Sequence, residues 1–413
     1  MKSALKVSNL TAIALSSLLL SACGGGGGGD SKPTTPTTPP VVVPPTPVEP
    51  PVVPPTPVEP PVVVPPTPVE PTLPDDLEDL ATIGSKNHEI AALAGSNTIS
   101  LQRTACGLGG VSEDNELTKM AVKHAQYLAY VAERKNAYGL PAHSESSYVG
   151  FEDITGANNP FFSGKNVTDR VIAANYKDLK YDVGEDINES IYYSPSGTAP
   201  KPALKAEQMV KGLFAAPYHM QTLLALNYTD TGSAMVTYVP FGKDASEHIG
   251  YKFVNVSAGS KTDIPEVAGV FTYPCDGVTD TVTGLYNESP SPVAGTGRNL
   301  AVDPIGQPIY VFVPSAKEIK VSNVKILDTE RNIVVPADIL DFSNDPHKGT
   351  SAELDKNKAF ILPITDDINS CPLDYRKNCG LAAFSEYQVT FDVMADNKKM
   401  YSKDFKFKTG DFN

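Results

Sequence analysis

The chain has 413 residues, a formal net charge of −14 and no tryptophan. That length suffices for two globular domains of ordinary size. An acidic balance with a pI near 4.9 argues against nucleic acid as a partner, because phosphate binding needs a basic footprint.

Residues 1–22 read as a signal peptide, with Lys2 and Lys6 as the charged start and Leu10–Leu20 as the apolar region. The run Leu20-Ser21-Ala22-Cys23 resembles a bacterial lipobox, so Cys23 is expected to be lipidated and to tie the chain to a membrane. No later stretch is apolar for long enough to span a bilayer. Residues 23–75 form a linker that opens with Gly24–Gly29 and continues with 19 of the 37 prolines. The unit VPPTPVEPPVV recurs with Glu49, Glu59 and Glu70 in equivalent places. Such a stretch has too few backbone donors for helix or sheet and extends as disordered polyproline II, at about 3.1 Å per residue. It reads as a spacer on the order of 100 Å long by that rise.

The first globular domain is expected over 76–258. Leu117, Met120, Ala121, His124, Leu128 and Val131 mark one face of a helix entered from Ser112 or Asp114. His124 on that face reads as a hydrogen-bonded core histidine. Residues 144–169 read as a long loop with Phe151, Phe161 and Phe162, beside His143 and placed to wall or cover the same cleft. In Val210–Leu224 (VKGLFAAPYHMQTLL), Met209, Val210, Leu213 and Phe214 recur at helical spacing. Pro217 should stop that helix, so that a turn at Tyr218 presents His219. Ser233–Val239 and Ile249–Val256 read as central antiparallel strands, apolar on both faces. Helices flanking a small sheet on both faces make a three-layer α-β-α sandwich, within an overall α+β class.

The second domain, 262–413, offers short strand-like runs: Ile309–Val313, Ile319–Leu327, Ile333–Val335, Ala359–Pro363, Tyr387–Val393 and Tyr401–Phe407. Tyr387, Val389, Phe391 and Val393 alternate strictly. Regular short strands without a convincing helix indicate an all-β sandwich. The segment Asn287-Glu288-Ser289-Pro290 and the closing strand resemble immunoglobulin-like domains. No catalytic constellation stands out here, and a spacer, a stabilising partner and a binding surface are all open roles.

Besides Cys23, four cysteines remain, and an even number in an exported chain indicates disulfides. Cys371–Cys379 closes a short loop and is the natural pair; Cys106–Cys275 would then join the first domain to the start of the second. Four cysteines allow three connectivities. No CxxC pair suggests a zinc site.

Several motifs now occur in a telling order: Leu101-Gln102-Arg103 with Gly107-Leu108, His124-Ala125 with Tyr127-Leu128-Ala129, Arg170, Ala174-Asn175-Tyr176, Gly184-Glu185-Asp186-Ile187, and Ala216-Pro217-Tyr218-His219 with Leu223-Leu224. With His143, this order resembles the CAP superfamily of cysteine-rich secretory, antigen 5 and pathogenesis-related proteins, whose bacterial branch carries Gly-Glu-Asn-Ile and Ser-Pro-Gly-His runs. The resemblance implies the same three-layer sandwich. It also implies a cleft of two histidines and two acidic residues that binds a divalent metal in some members. The chain departs from the pattern at Leu213 (tryptophan in the family), Tyr218 (glycine), Met220 (arginine) and Ala216, which stands where animal and plant members carry the second acid. Glu145 and Glu207 are conceivable substitutes.

The candidate site is thus His143, Glu185 and His219. Two imidazoles and a carboxylate form a reasonable shell for zinc or another divalent metal; without metal the same groups could relay protons as catalytic residues. The leading expectation is a lipid-anchored, extracytoplasmic binding module of the cell envelope, with a lipid, glycan or protein ligand in this cleft. The alternative is a divalent-metal-dependent hydrolase using the same residues, and a third reading is a structural or adhesive spacer.

Overall fold

Local sequence sets the helix starts in the first part of the chain, and the sheet then sorts their faces. The structure is a computed structural model that describes residues 76–176, 182–259, 269–366, 368, 371 and 376–411. The expectations for the signal peptide, Cys23 and the proline-rich linker lie outside these residues. The elements of the first part are β1 (Leu77–Asp79), α1 (Leu80–Ile83), α2 (Glu89–Ala105), β2 (Ser112–Glu113), α3 (Asn115–Arg134), α4 (Val167–Ala173), β3 (Val183–Tyr193), β4 (Thr198–Pro200), α5 (Pro202–Leu213), α6 (Pro217–Leu223), β5 (Asp230–Tyr238) and β6 (His248–Ala258). Asp114, not Ser112, caps α3 by accepting the Leu117 N–H at 2.9 Å. Asn166 and Asp169 form a reciprocal capping box on α4.

The main sheet of this part runs β2-β5-β6-β3, with β2 parallel to β5 and the other pairs antiparallel. Alternation along the strands sends side chains to two different cores. Met235, Ile249, Tyr251 and Phe253 join Ala91 and Ile99 of α2 and the apolar residues of α5 and α6. Ala234, Val236, Tyr238, Val254, Val256 and Ala258 join Leu117, Met120, Ala121 and Ala125 of α3 and Val171 of α4. Each fully buried large aliphatic or aromatic side chain contributes about 1.5–3 kcal/mol. Gly232 sits where α3 comes closest to β5: a Cβ there would lie 2.1 Å from the Leu117 carbonyl carbon.

The second part contains β7 (Phe271–Tyr273), β8 (Gly284–Leu285), β9 (Ile305–Gly306), β10 (Ile309–Phe312), β11 (Ile319–Asp328), β12 (Ile333–Val335), β13 (Ala337–Asp341), β14 (Lys358–Pro363), β15 (Glu386–Ala395) and β16 (Lys399–Lys408). Eight of them build two four-stranded antiparallel sheets, β13-β14-β10-β7 and β12-β11-β15-β16, and β8 pairs with β9. Their inner faces share one core, in which Ile309, Val311, Ala359 and Ile361 meet Ile326, Tyr387, Val389 and Phe391. The alternation read at Tyr387–Val393 is the buried face of β15.

The outer face of the first of these sheets is also buried. Tyr273, Tyr310, Leu340 and Phe360 belong to the same apolar cluster as Leu213, Phe214, Tyr218 and Leu223 of the α5–α6 region. The rings of Phe214 and Tyr273 meet at a tilt with centroids 4.8 Å apart, and the buried Gln307 donates to the Phe214 carbonyl at 2.9 Å. Cys106–Cys275 spans this contact and Cys371–Cys379 closes the short loop, so both anticipated pairs form. Disulfides of this kind belong to an oxidising, extracytoplasmic compartment. No helix among the described residues is long and apolar enough to cross a membrane.

Two local expectations need correction. Pro217 does not lead into a turn: it is the first residue of α6, where its missing N–H costs nothing and its fixed φ suits a helix. The 144–169 stretch is also not loop throughout. A 3₁₀ turn occupies Gly156–Asn158, and Val167 already begins α4.

Candidate functional site

His219 lies in the first turn of α6, a helix of 7 residues that cannot persist alone. Both of its ends are held from afar. Its N-cap residue, Ala216, has no side chain to offer, and Glu288 of the second part takes that role. Glu288 Oε1 accepts the N–H of Tyr218 at 2.7 Å and of His219 at 3.3 Å, and lies 3.2 Å from His219 Nδ1. At the other end the buried Arg103 guanidinium donates to the carbonyls of Leu223, Ala225 and Tyr228 at 2.7, 3.0 and 3.1 Å. The Tyr218 hydroxyl donates to Asp345 at 2.9 Å, so this side chain turns into the contact with the second part. Burial alone would depress the His219 pKa, but the bond to Glu288 and the charges of Glu288 and Asp186 raise it. Burial raises the Glu288 pKa in turn.

Glu185 projects from β3 into a separate network. Its Oε1 and Oε2 accept from Arg170 Nη2 at 2.6 and 2.7 Å, and Oε2 lies 3.0 Å from His143 Nδ1. The side chains of Arg170 and Glu185 are 0% and 2% exposed, so this is a buried ion pair. Behind it, His124 bonds to Glu145 at 2.8 Å and to the Ala142 carbonyl at 3.0 Å, and Glu145 also accepts the Ser163 and Gly164 N–H groups at 2.6 and 3.2 Å. Burial would raise the Glu185 pKa; the positive charges of His124 and Arg170 and the His143 bond outweigh it and hold it at about 2. A carboxylate only accepts, so His143 Nδ1 carries the hydrogen and Nε2 is left as a base or ligand. The His143 side chain is 50% exposed.

The three anticipated residues therefore come together: His143, Glu185 and His219 line one cleft of about 500 Å³, with the two imidazole centroids 6.3 Å apart. Glu145 lies behind that cleft, not in it, and Glu207 of α5 is not among its lining residues. The 144–169 segment does not wall it either; Ser144, Tyr148 and Thr155 line a different hollow, beside Tyr127 and Tyr238. The second part also lines it, through Ser289, Pro290, Ser351, Ala352, Glu353 and Asp355.

Asp186, next along β3, was quoted above only as part of a motif. It points to the opposite face of the strand from Glu185, is fully buried and lines the cleft floor. Neither carboxyl oxygen has a hydrogen-bond partner. Its cross-strand neighbour Asn255 gives its amide hydrogen to Ser257 at 3.0 Å and accepts from Thr231 and Ser233. Burial pushes the Asp186 pKa up to about 7, against the pull of His219 and His143.

A divalent metal fits this arrangement poorly. Glu185 is already committed to Arg170 and His143, and His219 Nδ1 to Glu288. Among the described residues no three His, Cys, Asp or Glu side chains converge as a metal-holding group.

Sequence reasoning passed over Glu288 and Asp186. Asp186 had one signal, an acid where the resembling motif carries asparagine; Glu288 had none, because its contact spans 70 residues. Searches found no matching protein-family model and no significant match among curated proteins.

Proposed function

We propose that this protein is a lipid-anchored binding module of a bacterial cell envelope, with a CAP-type first domain and an immunoglobulin-like second domain that together clasp a ligand. The observation that carries this reading is the two-sided cleft. His143, Glu185, Asp186 and His219 line it from the first part, and Ser289, Pro290, Ser351, Ala352, Glu353 and Asp355 from the second. The motif order from Leu101 to Leu224 supports the CAP assignment. Lipidation of Cys23 would supply the anchor. Exported ligands of the envelope, a glycan, lipid or peptide, are the class to screen.

The test is ligand screening of the purified chain, with the bound ligand located by NMR shifts and by Ser351→Trp, which fills the cleft. Binding that perturbs the His143 and His219 resonances and is lost in the tryptophan variant is the expected result. Ligands that bind only elsewhere would overturn the reading.

A divalent-metal-dependent hydrolase is the second reading, and one observation favours it. Glu185 holds Nδ1 of His143, a residue of the cleft lining, and leaves Nε2 as the basic nitrogen, the arrangement of a carboxylate-positioned base or metal ligand. Zinc titration by calorimetry decides it: one site abolished by both His143→Ala and His219→Ala sustains this reading, and no binding removes it.

A further inference from the structure

The cleft has an unbalanced charge. Asp182, Glu185, Asp186, Glu353 and Asp355 line it with the imidazoles of His143 and His219; Glu185 is paired with Arg170, and Lys358, the one lysine in the lining, already pairs with Asp355 at 2.6 Å. Acidic side chains at a surface need no ligand, but Asp186 is different in kind. It is fully buried at the cleft floor with both oxygens unpartnered. A buried carboxylate left in that state is costly. The protein side offers only the side chain of Asn255, which favours the ionised form while also donating to Ser257 and accepting from Thr231 and Ser233. Further relief has to come from the cleft side.

A second feature selects the carrier of the charge. β3 pairs with β6 on one side only, so it is the edge strand of its sheet. The residues that reach the cleft floor, Glu185 and Asp186, belong to this edge. An edge strand presents main-chain donors and acceptors to an extended backbone, which gives affinity, while a side-chain pocket gives specificity.

We propose that the cleft binds an extended peptide along the β3 edge and takes a lysine ammonium of that peptide over Asp186, with Asp182 and Glu353 as the outer acidic rim. This rests on the binding-module reading and names its ligand class. The ammonium supplies three donors to a carboxylate that has only the Asn255 side chain beside it.

The experiment uses the purified full chain and calorimetry with three probes: a blocked tripeptide with central lysine, the same tripeptide with norleucine, and glucosamine. The lysine peptide is expected to bind at least tenfold more tightly than the norleucine peptide. Asp186→Asn is isosteric, and is expected to erase that difference with a melting temperature no lower than that of the wild type. Should it fail to fold, Asp182→Asn on the exposed rim should still weaken the lysine peptide severalfold and leave the norleucine peptide unchanged. Equal binding of the two peptides, or an Asp186→Asn variant as selective as the wild type, overturns the proposal. Tighter binding of glucosamine than of the lysine peptide reassigns the ammonium to a sugar and overturns the peptide. A neutral glycan or lipid that occupies the cleft and ignores Asp186→Asn overturns this inference alone; a cleft that takes no ligand overturns the binding module as well.

Discussion

Glu288 Oε1 accepts the backbone N–H of Tyr218 at 2.7 Å across 70 residues of sequence, and lies 3.2 Å from the Nδ1 of the neighbouring His219. One carboxylate from the second part therefore does what an N-cap side chain would do for α6, and also fixes the ring of a cleft histidine. The second part is built into the site and is not an appendage to it.

Replacing Glu288 tests that relationship. Glu288→Ala leaves two buried N–H groups without an acceptor and is expected to cost about 2 kcal/mol, the range of a lost cap or an orphaned buried donor. Glu288→Gln keeps an acceptor and should cost less. Because Glu288 helps raise the His219 pKa, the His219 titration followed by NMR should move down in both variants. The sign fixes the pH dependence. A histidine raised on folding contributes stability below its unfolded pKa, and the contribution fades as pH rises through the folded value. The difference between wild type and Glu288→Gln should therefore shrink in mildly alkaline buffer. Urea unfolding at several pH values measures it.

Arg170 and Glu185 form the buried pair behind His143. Arg170→Met strands the Glu185 carboxylate and is expected to destabilise by about 3–5 kcal/mol. Changing both partners together, Arg170→Met with Glu185→Gln, should recover part of that loss. The wild-type pair also predicts an acid limb. Glu185 is held at about 2, so its contribution is complete above the ordinary glutamate pKa and is lost as pH falls from about 4.5 toward about 2. Chemical denaturation between those limits should show the loss in the wild type and not in Glu185→Gln.

Much of this was legible in the chain. The strict alternation at Tyr387–Val393 is the inner face of β15 because a strand has a period of two, and the helical spacing of Leu117, Met120 and His124 is the inner face of α3. His143, Glu185 and His219 share a cleft, as their motif order implied. What was not legible has a common cause. Pro217 looked like a helix breaker, since residue type alone cannot tell a helix interior from a first turn. Nothing local in Ala216–Leu224 announces that Glu288 and Arg103 hold the two ends of α6. Asp186 sits beside Glu185 in sequence, but the alternation of the strand sends the two carboxylates to opposite faces, one into an ion pair and the other into isolation.

The disulfides divide unequally by loop length. Cys106–Cys275 spans 169 residues and Cys371–Cys379 spans 8. In the chain-entropy account the first restricts the unfolded chain by about 5 kcal/mol and the second by about half as much. Paired Cys106→Ala and Cys275→Ala substitutions should therefore lower the unfolding midpoint more than the corresponding change at Cys371 and Cys379. Cys106–Cys275 also fastens α2 beside the Tyr273–Gln102 hydrogen bond of 3.0 Å. Its loss should consequently loosen the contact between the two parts, which amide hydrogen exchange at Gln102 and Tyr273 can follow.

Asp186 makes the opposite prediction to Glu185, from the next position on the same strand. Its pKa stands at about 7 against an ordinary value of 3.8, so folding disfavours its charged form. In the unfolded chain the carboxyl ionises as pH passes its ordinary value; in the folded chain it stays protonated until about pH 7. Stability is therefore unaffected by this group at pH 3 and falls progressively as pH rises from about 4 to about 7, at up to 1.4 kcal/mol per pH unit. The groups that face it act in both directions. His219, His143 and the Asn255 side chain favour the ionised form, while Glu185 opposes it. Asp186→Asn removes the titration without changing the shape of the side chain. It is expected to match the wild type near pH 4 and to exceed it by a few kcal/mol at pH 8, on the same conversion. Urea midpoints at those two pH values make the comparison, and a variant less stable than the wild type at pH 8 would show that the carboxylate is satisfied in the folded protein.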